Sequence, residues 1–345
     1  MDGSAREIKL GKGGVCNFCT SAQKELKACE AERHNLPRIV VGMNGEKYDV
    51  LIGLSGGVDS STALVEAVRL GLRPLCFSID NGYNDPKADE NIMRLVEGLK
   101  VPFYRYTIDL AKFQELQACF FKAGVVNVEI PTDHILMAAS YEMAAKYGIK
   151  WIISGGNVAT ESIMPASWSY TARDLKHIKA IYRKFAGKKL KGLPLCGLLK
   201  FNWYKWVKKI KTVYLLDFLD YNREESIKML TEKFGFKTTG EKHEESIFTR
   251  WFQNFYLYEK FGIDKRKAHY SAMINSGQMT RAKAEELLAY RPIYPELGIE
   301  SKVMKYPKKS HYDYPTDEKV FNRISKVVRF IRKHANFRRL SNNVV

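Results

Sequence analysis

One segment, YDVLIGLSGGVDSSTA at positions 48–63, restricts the possible folds of this 345-residue chain more than any other. An apolar run of β-forming residues passes directly into SGGVDSS and then into a helical pattern. Gly56 and Gly57 allow the backbone to turn sharply and to approach a ligand closely, because neither carries a Cβ. The helix that begins near Val58 presents unpaired N–H groups and the positive end of its dipole to the same point. This order of strand, glycine loop and helix predicts a site for a phosphate chain.

The polar side chains of this loop add to the predicted site. Ser55, Ser60 and Ser61 supply hydroxyl donors for phosphate oxygens. Asp59 is a poor direct partner for phosphate and is better suited to the Mg²⁺ that accompanies it. The loop is not a Walker A motif, because GxxxxGK[ST] does not occur in the chain. A glycine- and serine-rich turn between a core strand and a helix is the structural alternative.

Strand and helix patterns alternate through the first half of the chain. Apolar runs rich in β-forming residues lie at 50–54, 75–79, 103–108 and 151–153. Between and after them, apolar residues recur at helical spacing at 60–70, 88–99, 112–121 and 134–147. This alternation predicts an α/β fold with a parallel sheet, whose ligands bind outside the carboxyl ends of the strands. Further helical patterns predict a C-terminal helical region, at 223–233, 244–260, 266–275 and 281–289.

The net charge of +18 is unevenly distributed along the chain. Between positions 176 and 211 there are twelve Lys and Arg residues and no Asp or Glu, with aromatic residues interleaved. Such a stretch attracts phosphorylated or carboxylated ligands, nucleic acid, or an anionic membrane surface. The alternative is a solvated basic face without a partner.

The composition otherwise indicates a soluble globular protein. No apolar run approaches the length of a membrane span, and the first ten residues are not those of a signal peptide. The chain contains 6 scattered cysteines, which suit a reducing compartment better than a disulfide framework. We therefore expect a cytoplasmic location. The patterns divide the chain into four predicted regions, namely a CxxC segment at 1–46, the loop-bearing α/β domain at 47–168, a basic aromatic region at 169–221, and a helical region at 222–345.

Three segments together resemble one family of enzymes. They are SGGVDSS at 55–61, SGGN at 154–157, and HEESIFTRWFQNFYLYEKFGIDKRKAHYSAMINSGQMTRAKAEELL at 243–288. The first resembles the pyrophosphate loop of the PP-loop ATP pyrophosphatases, which split ATP between the α and β phosphates. Together the three resemble the N-acetyl sugar amidotransferases of bacterial surface-polysaccharide synthesis. The resemblance implies a PP-loop, adenine nucleotide alpha hydrolase-like domain at 47–168, with a basic insertion after it.

The resemblance also implies a reaction and its partners. A sugar N-acetyl group would become an acetamidino group, with ATP activating the amide and ammonia attacking it. The substrate would be a nucleotide-linked sugar, a UDP-diacetamido uronic acid, used for lipopolysaccharide O-antigen or a related glycan in a bacterial cytoplasm. A separate glutaminase would supply the ammonia, since no cysteine here lies in a glutaminase motif. The basic region would bind the substrate or face the acidic membrane, and no specific nucleic acid is expected.

The same resemblance implies roles for particular residues. Asp59 and Glu161 would bind Mg²⁺, because related NAD synthetases carry a metal-binding Glu six residues after a Gly, the spacing of Gly155 and Glu161 here. ATP would contact the loop residues Ser55, Gly56, Gly57, Val58, Asp59, Ser60 and Ser61, with Ser55, Asp59 and Ser60 acting in catalysis. The superfamily holds adenosine after its second strand, which implies Asp80 and Asn81, with Asn157 across the crevice. An ordinary turn is the alternative for Asn81, since Asn-Gly is a turn dipeptide.

Charged residues in the family-specific segment form a predicted substrate pocket. Arg250, Lys265, Arg266 and Lys267 would bind carboxylate or phosphate groups. His243 would move a proton from the incoming ammonia. A solvated helix start is the alternative interpretation of these charges.

Cys16 and Cys19 form the single CxxC motif of the chain. One pair does not close a tetrahedral zinc site, which needs four ligands. Cys29 and His34 are candidates to complete it, and a pair of reduced thiols is the alternative. The CxxC and the basic aromatic stretch also suit a PP-loop tRNA-modifying enzyme of the thiolase type, since cationic grooves with stacking aromatics bind single-stranded RNA. A non-enzymatic adenine-nucleotide-binding module is a third hypothesis.

Overall fold

The protein is built around one parallel β-sheet. The structure is a computed structural model and describes residues 1–238, 242, 245–317 and 320. Five strands pair in the order β3-β2-β1-β4-β5. Their bounds are β1 Val50–Gly53, β2 Pro74–Asp80, β3 Phe103–Thr107, β4 Trp151–Ser154 and β5 Lys211–Tyr214. Because β1 pairs with β2 on one side and β4 on the other, the strand order reverses at β1, and a crevice opens there at the carboxyl ends.

Helices cover both faces of the sheet and form a further layer beside it. Their bounds are α1 Asn17–Glu32, α2 Leu36–Val41, α3 Val58–Arg69, α4 Pro86–Gly98, α5 Leu110–Ala123, α6 Ile130–Lys146, α7 Val158–Glu161, α8 Leu175–Ala186, α9 Leu198–Trp206, α10 Arg223–Phe234, α11 Ile247–Trp251, α12 Arg266–Asn275, α13 Arg281–Leu288 and α14 Glu300–Lys305. A π-helical segment, Phe252–Phe261, continues α11. Within the described parts of the chain, no helix is both long and apolar enough to span a bilayer.

The side chains of β1 alternate between two cores, as a strand buried on both faces requires. Val50 and Ile52 pack in one cluster with residues of α3, α4 and α10. Leu51 faces the opposite cluster, which contains residues of α6 and α9. A third, largely aromatic core joins α5 and α8 to α11 and the π-helical segment. The predicted α/β fold, parallel sheet and C-terminal helical region are therefore confirmed.

Two elements differ from the sequence prediction, each for a local reason. Strand β5 lies in the range 169–221 predicted as a basic aromatic region, and of its four residues only Val213 is fully buried. It nevertheless pairs with β4 along its whole length. The helix predicted at 244–260 begins at Ile247, because the Ser246 hydroxyl accepts a hydrogen bond from the Thr249 N–H and caps it there.

Candidate functional site: a phosphate loop and the cavity above it

The loop between β1 and α3, residues 54–57, is called the phosphate loop here. It is held in shape by the first turn of α4. Gly56 adopts a left-handed φ of +78°, and a Cβ at this position would lie 2.3 Å from the carbonyl oxygen of Ala88. Its own carbonyl oxygen accepts a hydrogen bond from the Asn91 side chain at 3.2 Å. Only glycine satisfies both the dihedral and the close approach, so α4 fixes the path of the loop.

The hydroxyls of Ser55 and Ser60 lie together at the start of α3. Their oxygens are 3.2 Å apart, and the Ser55 hydroxyl also accepts the Gly57 N–H at 3.3 Å. Gly57 is the N-cap of α3 and offers no side chain to the N–H groups of the first turn. Those donors, with the helix dipole, face the crevice and suit an anion. Val58 and Ser61 are buried beneath the loop.

The loop after β4 lies directly against this helix start. A Cβ on Gly155 would come within 2.7 Å of the Ser60 backbone nitrogen, so glycine is required for the approach. Asn157 caps α7, because its side-chain oxygen accepts the Thr160 N–H at 2.9 Å. The SGGN segment thereby brings Glu161, the last residue of α7, towards the phosphate loop.

Asp59 and Glu161, the predicted magnesium ligands, converge on one ammonium group. Lys242 Nζ lies 2.5 Å from Asp59 Oδ2 and 3.1 Å from Glu161 Oε1, and it also donates to the Thr160 hydroxyl. Burial lowers the pKa of Lys242, but the carboxylates of Glu161 and Asp59 outweigh this and raise the pKa above its ordinary value. The ammonium is therefore charged, and two carboxylates that share a cation form a donor set suited to Mg²⁺.

A tyrosine completes the surroundings of Asp59. The Tyr221 hydroxyl donates a hydrogen bond to Asp59 Oδ1. Burial first, and then the Asp59 carboxylate, raise the pKa of Tyr221 beyond its usual range. The phenol consequently stays neutral and acts as a hydrogen-bond donor to Asp59.

The C-terminal helical region contacts the phosphate loop through Glu245. The Ser55 hydroxyl donates to Glu245 Oε1 at 3.0 Å, and a Cβ on Gly57 would meet the same carboxyl group at 2.8 Å. The Glu245 carbonyl accepts the N–H of Asp85, which precedes α4, at 3.1 Å. A carboxylate thus lies where the loop offers its anion-binding groups.

A cavity of about 800 Å³ lies over the loop and extends away from it. Its walls come from the phosphate loop, the ends of β2 and β4, the helix α6, the strand β5 and the segment that carries α11. This volume suits a ligand larger than the nucleotide phosphates alone.

One wall of the cavity is acidic. Glu129 and Asp133, at the start of α6, both line it, and the Thr249 hydroxyl donates to Glu129. Asp133 is an exposed residue that lines the cavity beside Glu129. Desolvation by the surrounding protein raises the pKa of Asp133, the Glu129 carboxylate raises it further, and Lys265 opposes the shift only in part. These surroundings favour the protonated form of Asp133 more than water does.

The opposite wall is aromatic and carries a guanidinium group. Arg173 lies 4.9 Å from the ring centroid of Phe201, and both line the cavity with Tyr141 and Tyr214. The Tyr141 hydroxyl is 3.3 Å from that of Thr212. Asp174, the residue after Arg173, is buried, and its carboxylate caps α8 by accepting the His177 N–H. A cation beside aromatic faces suits an anionic ligand with a planar part.

The remaining predicted site residues occupy varied positions. Lys265 lines the cavity, whereas Arg250 lies 3.6 Å from Asp85 and outside it. Arg266 forms a two-point ion pair with Asp264, and Lys267 pairs with Asp2 at 2.6 Å. Their roles in substrate binding stay predictions, and His243 lies outside the described residues.

The predicted adenosine and zinc residues make local contacts. Asn81 lines the cavity and accepts the Tyr83 N–H at 3.1 Å, while Asp80 accepts the Gly82 N–H at 3.1 Å. Cys16 caps α1 by accepting the N–H of Cys19 at 3.4 Å. Over the described ranges, no group of three or more His, Cys, Asp and Glu side chains is placed to hold a metal ion.

Sequence reasoning did not assign Lys242, Tyr221, Arg173, Glu129 or Asp133 to the site. None belongs to a recurring motif. Four of them line the cavity, and Tyr221 reaches the site through its hydrogen bond to Asp59. The one nearby signal in the sequence is the charge cluster of His243, Glu244 and Glu245 before a helix, which adjoins Lys242.

Comparison with known proteins identifies the C-terminal segment. Residues 245–306 match the family model described as LPS biosynthesis protein WbpG-like, C-terminal domain. No curated protein matches the chain.

Solved structures give looser matches. NMN synthetase from Francisella tularensis is 16% identical, with a TM-score of 0.35 over 78% of this chain and 90% of that chain. NH3-dependent NAD synthetase from Campylobacter jejuni is 17% identical, with a TM-score of 0.29 over 62% and 93%. A predicted subunit of tRNA methyltransferase from Methanocaldococcus jannaschii is 16% identical, with a TM-score of 0.31 over 53% and 73%. The fold assignment rests on the topology of the sheet and not on these alignments.

Proposed function

We propose that this protein is an ATP-dependent amidotransferase that converts a sugar N-acetyl group into an acetamidino group. The observation that carries the proposal is the shared cavity. The phosphate loop forms one end of it, and residues of the WbpG-like domain, such as Thr249 and Lys265, form part of its wall. A nucleotide on the loop and a sugar against that domain would therefore meet in one enclosed space, as group transfer requires.

The chemistry needs such an arrangement because an amide is unreactive. Its carbon is a poor electrophile and its oxygen a poor leaving group. Attack of the amide oxygen on the α-phosphorus of ATP forms a new P–O bond, breaks the α–β bond and releases pyrophosphate. The product is an O-adenylyl imidate. Ammonia then adds to the imidate carbon, a proton is lost, and the C–O bond breaks to release AMP and the amidine.

The first step places negative charge on the departing pyrophosphate. The N–H groups at the start of α3 and the hydroxyls of Ser55 and Ser60 would stabilise it, because they are fixed before the charge develops. Asp59 and Glu161 would hold Mg²⁺, whose charge supplies further stabilisation of the phosphates. Glu245 would have to leave the Ser55 hydroxyl before phosphate could use it.

The second step needs a proton acceptor for the attacking ammonia. We assign this role to the ionised form of Asp133, which lines the cavity and whose pKa is raised by desolvation and then by Glu129. A base of raised pKa takes a proton from an ammonium-like intermediate more effectively than an ordinary carboxylate. Glu129 would then stabilise the positively charged nitrogen by its own charge.

The ammonia would come from a separate glutaminase. Five of the 6 cysteines are buried, and none of the 6 lines the cavity. Burial raises the pKa of Cys76 to about 12 and that of Cys196 to about 11, which makes both poor nucleophiles.

The test is to incubate the full chain with ATP, Mg²⁺, ammonium chloride and individual UDP-diacetamido sugars. We expect AMP release that depends on the sugar, and a product whose mass reflects replacement of one oxygen by NH. Glutamine alone should not support turnover. Sugar-independent ATP cleavage stimulated by tRNA would instead establish the tRNA-modifying alternative. Efficient use of glutamine by the isolated chain would contradict the proposal that a separate glutaminase supplies the ammonia.

A further inference from the structure

Helix α9 carries an apolar stripe that faces solvent. Leu199, Trp203, Trp206 and Val207 are 87%, 43%, 72% and 63% exposed. They follow one another at intervals of four, three and one residues, which places them on a single side of the helix. Isolated exposed apolar residues are ordinary, but a contiguous group of this kind marks an interaction surface.

The opposite side of α9 is anchored in the core, so the stripe cannot turn inward. Phe201 and Tyr204 are buried, and both rings contact Tyr141 of α6, with centroids 5.1 and 5.6 Å away. Strand β5 follows closely and is paired along its length with β4. The exposed stripe is therefore a fixed feature of the folded protein.

Lysines surround the stripe. Lys208 Nζ lies 5.0 Å from the ring centroid of Trp203, and Lys209, with a left-handed φ of 58°, turns the chain from α9 towards β5. Lys150 donates to the Lys208 carbonyl at 3.1 Å and adds a cation from the start of β4. No Asp or Glu occurs between positions 176 and 211.

We propose that this surface, Leu199 to Lys209 of α9 and the turn after it, docks the protein onto an anionic lipid bilayer. Tryptophan favours the boundary between headgroups and acyl chains, and leucine and valine add apolar area that inserts there. The lysines match the negative potential of such a membrane. Nucleic acid would use the lysines and the tryptophans but would leave Leu199 and Val207 in water.

The position of this surface is compatible with catalysis. Trp206 to Lys211 lead into the amino end of β5, while the phosphate loop and the cavity lie at the carboxyl ends of the same parallel strands. Docking would thus leave the cavity open to nucleotide and substrate from the aqueous side. The inference does not depend on which reaction the cavity carries out.

The experiment is flotation of the full chain with vesicles of phosphatidylcholine, with or without phosphatidylglycerol. We expect binding only to the anionic vesicles, and a blue shift of tryptophan emission as Trp206 enters the interface. Leu199→Ser with Trp206→Ala should lower the partition coefficient about tenfold and remove most of the shift. Ile293→Ser is the matched control, because Ile293 is 86% exposed but lies elsewhere, and it should bind normally.

Further lysines and arginines at 323–339 would also attract anionic vesicles. Every variant keeps them, so a difference between variants reports on the surface of α9. Thermal unfolding monitored for each variant separates loss of docking from loss of fold. Equal partitioning of the double variant and the unmodified protein would overturn the proposal. So would failure of the unmodified protein to bind anionic vesicles at low salt, or tRNA retention at a salt concentration that abolishes vesicle binding.

Discussion

The two ends of the cavity are constructed in different ways. At the loop end, the groups that face a phosphate come from one strand, one turn and one helix, within residues 50–69. At the far end, the acidic and aromatic walls combine Asp133, Arg173, Phe201, Tyr214 and Lys265, which come from separate segments. The loop end is thus specified by local sequence, whereas the far end exists only after the whole domain has folded. A mutation at the loop end should affect the chemistry directly, and one at the far end should act on binding or position.

The largest effect is expected at the loop end. Asp59→Ala and Ser55→Ala should each reduce sugar-dependent AMP formation by about 10²–10³, because each removes a group that acts on charge in the transition state. Chromatographic measurement of AMP tests this, with circular dichroism as the check on folding. Asp220→Ala is the control, since that side chain is 95% exposed and pairs with Arg33 at the surface. Normal AMP release by the Asp59 variant would remove the loop from the mechanism.

Lys242 tests whether Asp59 and Glu161 form one cation site. Lys242→Met should lower the free energy of unfolding by about 2 kcal/mol without Mg²⁺, because two neighbouring carboxylates lose their shared cation. Added Mg²⁺ should restore much of this loss and raise the melting temperature more than in the unmodified protein. Lys237→Met, which removes an exposed pair with Glu90, should show no such dependence on Mg²⁺. Equal Mg²⁺ shifts in all three proteins would argue against a shared site.

Acid should destabilise the fold through a buried pair of histidines that lies outside both ends of the cavity. His177 and His311 lie 3.0 Å apart, and burial lowers their pKa values from 6.5 to about 4 and about 3. Below pH 6.5 the histidines of the unfolded chain become protonated while those of the folded chain stay neutral. Their contribution to the free energy of unfolding is therefore fully present above pH 6.5 and is lost as the pH falls towards 4. We expect a loss of about 2 kcal/mol between pH 7 and pH 5 from His177 alone. Urea unfolding at the two pH values measures it.

The His311→Gln variant tests whether this histidine pair causes the loss of stability in acid. His177 belongs to α8, and its ring packs with Phe120, Tyr170 and Tyr314 in the aromatic core that joins α5 and α8 to α11. The variant should be less stable at pH 7 and should lose less stability on acidification than the unmodified protein. An unchanged slope of stability against pH would show that other groups carry the acid sensitivity.

The smallest effect is expected at Arg173. Arg173→Gln should raise KM for the accepted nucleotide sugar about tenfold, the equivalent of one charge-assisted hydrogen bond, and leave KM for ATP unchanged. Steady-state kinetics with each substrate varied in turn provides the measurement. Arg183→Gln, at an exposed position of α8, serves as the control. A rise in KM for ATP with no change for the sugar would reverse the assignment of the two ends.

The difference between locally specified and assembled regions also determines which strands can be predicted from the sequence. The sequence predicts β1 to β4 because each is a run rich in β-forming residues that is followed by polar or glycine-rich residues. Strand β5 was not, since its sequence KTVY lies within a lysine-rich stretch and its stability comes from pairing with β4. The pairing of β5 with β4 is a tertiary contact, which the local composition of KTVY does not predict.

The same reasoning applies to the site residues. Asp59 and Glu161 each followed from a motif after a strand, and the structure brings both to one ammonium group. Arg266 and Lys267 had the charge expected of substrate ligands, but their pairing with Asp264 and Asp2 depends on tertiary contacts. Asp133 and Arg173 had no local signal at all, because their function would arise from a cavity assembled by distant segments.

The position of Lys242 would make metal binding an ion exchange. A Mg²⁺ ion bound as we propose by Asp59 and Glu161 would have to displace the ammonium group of Lys242 from their carboxylates. Glu245, three residues further along the chain, accepts a hydrogen bond from the Ser55 hydroxyl. We therefore expect release of the Lys242 ammonium and release of the Ser55 hydroxyl to be coupled. Free Mg²⁺ should influence nucleotide affinity through this exchange, separately from its chelation by the nucleotide itself.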